Sequence, residues 1–317
     1  MNNEHDHISV LALNPAVDIS YEIPQLLEYQ KVRASKTWYH PGGNGINISR
    51  ALLELAVPAT CCSIIAGESG DLLLKLLGDS LGDRLKWFRV PGETRLNTNI
   101  LQHSPPGQYE ITSIGPDIPP DVLNEVCDCF LKSAGKGITV LSGHLPPGVP
   151  IEIYQQLVER VNLQGGRAVV DSHSEALQLA IEAKPWLVRF NRYILEMLMK
   201  RRMDTIQDTA EAARIIQQQG VGLVCVTLGQ EGAILVDADN SYHCEAPKVH
   251  RQSTVGCGDS LVAGLIAAAH RGESPGQMLR LGVICASATA SHPGTELFSH
   301  EDIETLSADI EVTQLNV

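Results

Sequence analysis

Short, β-branched apolar runs alternate with amphipathic stretches along most of the chain. Residues 8–13, 59–65, 137–141, 167–171, 186–189 and 222–227 read as buried strands. Helical periodicity fills 45–56, 70–80, 119–133, 150–163, 174–182, 207–219 and 259–271. Strand–helix alternation of this kind predicts an α/β fold, a doubly wound and mainly parallel sheet with helices on both faces. Its crossovers are expected to be right-handed, with ligands gathering at the carboxyl ends of the strands.

Two regions break the rhythm. Residues 18–23 and 31–40 look extended, and 96–102 and 108–113 look like a hairpin turning through Ser104-Pro-Pro-Gly-Gln108. Neither region has a crossover helix. We expect them to form one small β-sheet, a lid built from about 14–40 and 95–113 and inserted in a single domain spanning 1–317. Such a sheet can cover a ligand and exclude water. Its exposed edge can also pair two copies of the chain, so a homodimer through the lid is expected.

Composition narrows the function classes. With 317 residues, 44% hydrophobic and 19% charged, the chain has an ordinary soluble make-up. A net charge of −13 argues against a nucleic-acid partner. It leaves room for an anionic small substrate, because a few local cations can dominate a cleft. No apolar run is long enough to span a membrane, and the acidic start, Met1-Asn-Asn-Glu-His-Asp-His7, is no secretory signal. A cytoplasmic protein with a solvated N-terminal tail is expected. The eight cysteines lack zinc-ribbon spacing and read as reduced, mostly buried thiols.

Chemistry concentrates at Ser253-Thr-Val-Gly-Cys-Gly-Asp-Ser260, just ahead of an apolar helix. The N-terminus of a helix offers unpaired N–H donors and partial positive charge, which suits phosphate oxygens. Asp259 stands where an acceptor for a hydroxyl proton is needed. Taken alone, the motif also reads as a turn with a capping Asp. Three further motifs accompany it: Asn14-Pro-Ala-Val-Asp18, Pro41-Gly-Gly-Asn-Gly-Ile-Asn47 and Val226-Thr-Leu-Gly-Gln-Glu-Gly-Ala233.

In this order the four motifs resemble those of the ribokinase-like PfkB carbohydrate kinases, over nearly the whole chain. Ser142-Gly-His-Leu-Pro-Pro-Gly148 and Val170-Asp-Ser-His-Ser-Glu-Ala176 bring it nearest the sugar-phosphate branch, which comprises the minor 6-phosphofructokinase, 1-phosphofructokinase and tagatose-6-phosphate kinase types. The resemblance implies ATP-dependent phosphoryl transfer to a hydroxyl of a sugar or sugar phosphate, with ATP and Mg²⁺ and no metal ligand assigned in the chain. It makes Asp259 the base, and Gly256, Cys257 and Gly258 the anion hole. Cys257 stands where the family often has Ala, either as a buried bystander or as an exposed, oxidisable thiol. Asp18, Gly42, Gly43, Asn44, Asn47, Asn97 and His144 fall in the sugar site. Lys31, Arg33 and Arg95 fall in the lid and its border, with Arg95 matching a segment that faces the substrate phosphate. Asn191, Thr227, Gly229 and Gly232 match the nucleotide side, and Ser291-His-Pro-Gly-Thr295 resembles the loop near the adenine.

Several positions depart from the family pattern. Its Asn-x-x-Glu is Asn191-Arg-Tyr-Ile194 here, so the acid that helps organise Mg²⁺ is absent, and Glu196 points about 200° from that position on a helix. Arg189-Phe190 replace Lys-Pro, Asn44 replaces the Lys of many relatives, and Glu110 stands where a cation would help hold a phosphate. Two readings follow: a working sugar or sugar-phosphate kinase with altered substrate choice, or a weakened relative that binds sugar or nucleotide as a regulatory protein. A nicotinamide-dependent oxidoreductase would need Gly-x-Gly-x-x-Gly after the first strand, where Asn14-Pro-Ala-Val-Asp18 stands instead.

Overall fold

The parallel strands are apolar on both faces because each face is roofed by helices. A computed structural model of the chain describes residues 7–307 and 310–317; the expected solvated tail, residues 1–6, lies outside the described residues. In chain order the first elements are β1 (Ile8–Ala12), β2 (Ala16–Ile23), β3 (Lys36–Gly42), α1 (Asn44–Glu54), β4 (Thr60–Ala66), α2 (Gly67–Leu77), β5 (Leu85–Val90), β6 (Arg95–Gln102) and β7 (Gly107–Ile111). Then come α3 (Pro120–Ala134), β8 (Ile138–Ser142), α4 (Ile153–Leu163), β9 (Arg167–Asp171), α5 (Ser174–Glu182), β10 (Leu187–Asn191), α6 (Arg192–Met199), α7 (Ile206–Gln217) and β11 (Leu223–Thr227). The chain ends with β12 (Ala233–Val236), β13 (Ser241–Cys244), α8 (Cys257–His270), α9 (Pro275–Ala290), α10 (His300–Leu306) and β14 (Val312–Leu315).

Among the described residues the main sheet has ten strands, in the order β14-β13-β12-β11-β10-β9-β8-β1-β4-β5. The run from β5 to β11 is parallel, and β12, β13 and β14 continue it antiparallel. Neighbouring residues on a strand point to opposite faces. Val10, Val140, Val169 and Leu187 therefore pack against α1, α8 and α9, while Leu11, Leu141, Val170 and Val188 pack against α3, α4, α5 and α7. The mainly parallel α/β architecture with helices on both faces is as the sequence pattern predicts.

A second sheet, in the order β3-β2-β6-β7, forms the lid. The extended segment expected at 31–40 is shorter, because pairing with β2 begins only at Lys36 opposite Glu22, and residues 24–35 form a loop. The hairpin strand expected to reach 113 ends at Ile111. Strands β5, β12, β13 and β14 and helices α6, α9 and α10 are additions to the predicted set. Most of the added strands are four residues long, too short to show a period.

Helix α8 is apolar all round and buried from Asp259 to Ala269. It meets α9 closely enough that a Cβ on Gly264 would lie 2.7 Å from the Cα of Gly282. Packing on this scale holds the N-terminus of α8 rigidly at the sheet's carboxyl edge. Among the described residues no helix is long and apolar enough to cross a membrane.

Candidate active site

The first turns of two helices meet around one carboxylate. Gly256 caps α8 at φ +81°, a conformation only glycine adopts without strain, and this turns Asp259 inward. Asp259 is 5% exposed. Asn44 Nδ2 donates to its Oδ1 at 2.8 Å and Asn47 Nδ2 to its Oδ2 at 2.8 Å. Burial pushes the Asp259 carboxyl up to about 7, helped by the charge of Asp171 and opposed by the two amides and Arg189. The carboxylate is thus oriented, buried and poised to take a proton near neutral pH.

The glycine turn beside it differs from expectation in one respect. The backbone N–H of Cys257 donates to the Thr254 carbonyl at 3.4 Å, so of the three amides assigned to the anion hole this one is engaged within the turn. Gly256 and Gly258 line the cavity; Cys257 does not. Its thiol is part-buried, and enclosure and the nearby Asp259 charge push it up to about 12, which disfavours the thiolate.

The lid supplies the opposite wall. Asp18 on β2 is 2% exposed and accepts from Asn97 Nδ2 on β6 at 2.8 Å, its register partner. Burial pushes Asp18 up, against Asn97 and the charge of Arg95. A Cβ on Gly42 would lie 2.2 Å from Asp18 Oδ2, so only glycine at this position leaves room for the carboxylate. Arg95 donates from Nε and Nη2 to the Asn14 carbonyl, at 3.1 and 2.9 Å, which fixes the guanidinium at the cavity wall. Gln108 on β7 accepts from the N–H and hydroxyl of Thr254, at 3.1 and 3.2 Å, tying the lid to the glycine turn. Glu110, also on β7, lines the cavity; partial enclosure and the Asp18 charge push its carboxyl up.

On the far side, Arg189 packs flat on the glycine turn: a Cβ on Gly258 would lie 2.5 Å from its Nη1. Arg189 Nη1 donates to Asp171 Oδ1 at 3.1 Å, and its Nη2 to Thr227 Oγ1 at 3.1 Å. Burial acts to discharge the guanidinium, but Asp171 outweighs it and keeps Arg189 charged. Asn191 caps α6 by accepting from the Ile194 N–H at 2.9 Å, and it pairs in register with Thr227. Gly229 and Gly232, at φ +64° and +85°, make the turn after β11.

These walls enclose a cavity of about 940 Å³ at the carboxyl ends of β1, β8, β9 and β10. Gly43, Asn44, Asn47, Asn97, His144 and Asn191 line it with Asp18, Arg95 and the glycine turn. Lys31 and Arg33 lie on the exposed loop ahead of β3, outside the lining; Thr227, Gly229 and Gly232 are not part of the lining either, and of these Thr227 touches it through Arg189. Asn99 Nδ2, Asn47 Oδ1 and Asn14 Oδ1 are buried in this wall with no protein partner. Orphaned donors and acceptors of this kind suit a polyhydroxylated ligand. Sequence reasoning missed Asp171 and His173 as lining residues. Their signal was the end of a predicted strand, the edge where ligands gather.

The residues present do not make a metal centre. Ile194 brings no ligand, Asp171 is held by Arg189, and both oxygens of Asp259 are held by amides. Among the described residues, no three His, Cys, Asp or Glu side chains are placed to hold an ion. All eight cysteines are free.

Residues 11–302 match the profile of the pfkB family carbohydrate kinases. The chain is 33% identical to the ATP-dependent 6-phosphofructokinase isozyme 2 of Escherichia coli strain K12, over 95% of its own length and 98% of that protein's. It is 29% identical to the 1-phosphofructokinase of the same strain, over 98% and 99% of the two chains. The crystal structure of Escherichia coli phosphofructokinase-2 in complex with substrates and products superposes with a TM-score of 0.89, at 33% identity, over 95% of this chain and 98% of that one. With a family match across most of its length and a glycine turn, buried carboxylate and lid enclosing one cavity, the chain belongs to the pfkB carbohydrate kinase family.

Proposed function

We propose that this protein transfers the γ-phosphoryl group of ATP to a hydroxyl of a sugar phosphate, as a cytoplasmic enzyme. The observation that carries this reading is Asp259, buried at the mouth of α8 with each oxygen gripped by an amide. Asp18 and Asn97 hold the sugar's hydroxyls, and one of them is left against Asp259. Asp259 takes that hydroxyl's proton as its oxygen bonds to the γ-phosphorus. The bond from phosphorus to the β–γ bridging oxygen breaks, and ADP leaves. The amides of the glycine turn and the Arg189 charge face the oxygens of the transferring group. Asn191, Thr227, Gly229 and Gly232 border the nucleotide. Mg²⁺ enters this reading only as the counter-ion that travels with the nucleotide phosphates, since no three His, Cys, Asp or Glu side chains among the described residues are placed to hold it.

The lid closes the site through Gln108 and Thr254 and keeps water from the transferring group. Its outer face carries two apolar ladders, Tyr39–Ile19–Thr98–Ile111 and Tyr21–Ile100–Tyr109. Tyr39, Leu96, Tyr109 and Ile111 on that face are exposed. An apolar outer face over a polar inner one fits a homodimer joined lid to lid. An ATP-consumption screen across phosphorylated and free hexoses and pentoses tests the activity. Turnover with none of them would overturn the reading.

A further inference from the structure

Two thiols touch on the face of the main sheet away from α8. Cys62 on β4 donates to Cys129 on α3, with the two Sγ atoms 3.5 Å apart. The residues are 67 positions apart in sequence and meet because α3 packs along β4. A disulfide bond is about 2.05 Å long, so the two sulfurs need to approach by only about 1.5 Å to form one. The neighbouring cysteines are placed differently. Cys61 faces the other side of the sheet, since side chains alternate along a strand, and packs with Ala12 and Ile65. Cys127 is buried and stands two residues before Cys129, about 200° round the helix.

The two partners differ in access. Cys62 is fully buried. Cys129 is part-exposed and lines a surface pocket of about 520 Å³ with Phe88, Glu125, Asp128, Lys132 and Ser133. No residue lines both this pocket and the cavity around Asp259. Burial, then the neighbouring Cys129, push the Cys62 thiol up, so Cys62 holds its proton. A solute from the solvent therefore meets Cys129 first, with a second thiol already in contact behind it.

We propose that Cys129 is an oxidation site for small hydroperoxides and that Cys62 resolves it into a disulfide between α3 and β4. Cys129 Sγ attacks one oxygen of the hydroperoxide. An S–O bond forms, the O–O bond breaks, and the thiol proton leaves with the other oxygen as an alcohol, or as water when the oxidant is hydrogen peroxide. Cys62 Sγ then attacks Cys129 Sγ. The S–S bond forms, the S–O bond breaks, and the hydroxyl departs with the Cys62 proton as water. Two thiols lose two electrons and one hydroperoxide gains them. Contact with the target sulfur gives Cys62 the advantage over any thiol in solution, even though it keeps its proton. Where glutathione keeps proteins reduced, the thiol pair is the resting form and a dithiol reductant restores it.

The closed loop contains β6 and β7, the lid strands that carry Arg95, Asn97, Gln108 and Glu110. Tying its two ends together removes freedom from the unfolded chain. The bond thus strengthens the support beneath half of the lid while leaving the lining of the Asp259 cavity unmodified.

The test treats the full chain with excess hydrogen peroxide, quenches in acid, alkylates the remaining thiols and maps the peptides by mass. The peptides carrying Cys62 and Cys129 should emerge joined and lighter by two hydrogens, and dithiothreitol should release them. In Cys62→Ala, Cys129 should stop as a sulfenic acid that dimedone captures. In Cys129→Ser, Cys62 should stay a thiol. The urea midpoint of the oxidised wild type should lie about 1 M above that of the reduced protein. Retention of both thiols under conditions that oxidise glutathione overturns the proposal, as does Cys129 joined to Cys127 or to a second chain. Oxidation of Cys62 in folded Cys129→Ser overturns the order of attack. A lower midpoint on oxidation overturns the geometry, since the bond would then form only by pulling α3 off β4. Should either variant fail to fold by circular dichroism, the wild-type peptide map and midpoint decide alone.

Discussion

Asn47 on α1 donates a hydrogen bond to Oδ2 of Asp259 on α8 at 2.8 Å, joining two helix N-termini 212 residues apart in sequence. Asn44, one turn earlier, holds the other oxygen. The carboxylate therefore has one orientation, and its free lone pairs face the cavity. Asp259→Asn should lower kcat by about 10²–10⁴-fold, the range typical of general-base loss, while ATP affinity by calorimetry stays within about twofold. Normal turnover in the variant would remove Asp259 from the chemistry.

The pH profile follows from the same contacts. Burial places the Asp259 carboxyl at about 7, so kcat/KM for an unphosphorylated acceptor should rise with pH and level off above that value. Both amides favour the charged form. Asn44→Ala removes one, and the rise should shift to higher pH. A shift to lower pH would contradict this account of the carboxylate's surroundings.

Gly42 is fixed by the space Asp18 needs. Gly42→Ala puts a methyl 2.2 Å from Asp18 Oδ2, and the carboxylate must swing away from Asn97. Acceptor KM should rise at least about tenfold with little change for ATP. Urea unfolding should show a loss of roughly 1–3 kcal/mol from overpacking.

Ile194 tests the metal requirement. The side chain packs against the core and leaves any Mg²⁺ with the nucleotide. The wild-type rate should saturate once Mg²⁺ matches ATP, and Ile194→Glu should not be needed for turnover. Activity confined to Ile194→Glu would show instead that loss of this acid disabled the protein.

Tyr109 and Ile111 sit on the outer face of the lid, exposed, in register with Ile100 and Thr98. Ile111→Asp should convert a dimer to a monomer by light scattering. A mass unchanged by the substitution would place the interface elsewhere.

Six of the seven parallel strands, most of their covering helices and the existence of a second small sheet were legible because buried parallel strands are continuous apolar runs and the strands of the small sheet lack crossovers. The glycine–acid turn at 256–259 was legible for a local reason as well: a positive φ at Gly256 and a helix start are written in neighbouring residues. The short strands β12 to β14 carried too few residues to show a period. What tertiary structure alone decided is who meets whom. Nothing near Asn44 or Asn47 in sequence points to Asp259; α1 and α8 bring them together only by packing on one face of the sheet. The Arg189–Asp171 pair and the His144–His173 contact depend in the same way on β8, β9 and β10 lying side by side, so that residues 18 and 29 positions apart end at one edge. Local sequence sets backbone geometry, whereas the charge state and partner of a buried side chain are set by groups that arrive from elsewhere in the chain.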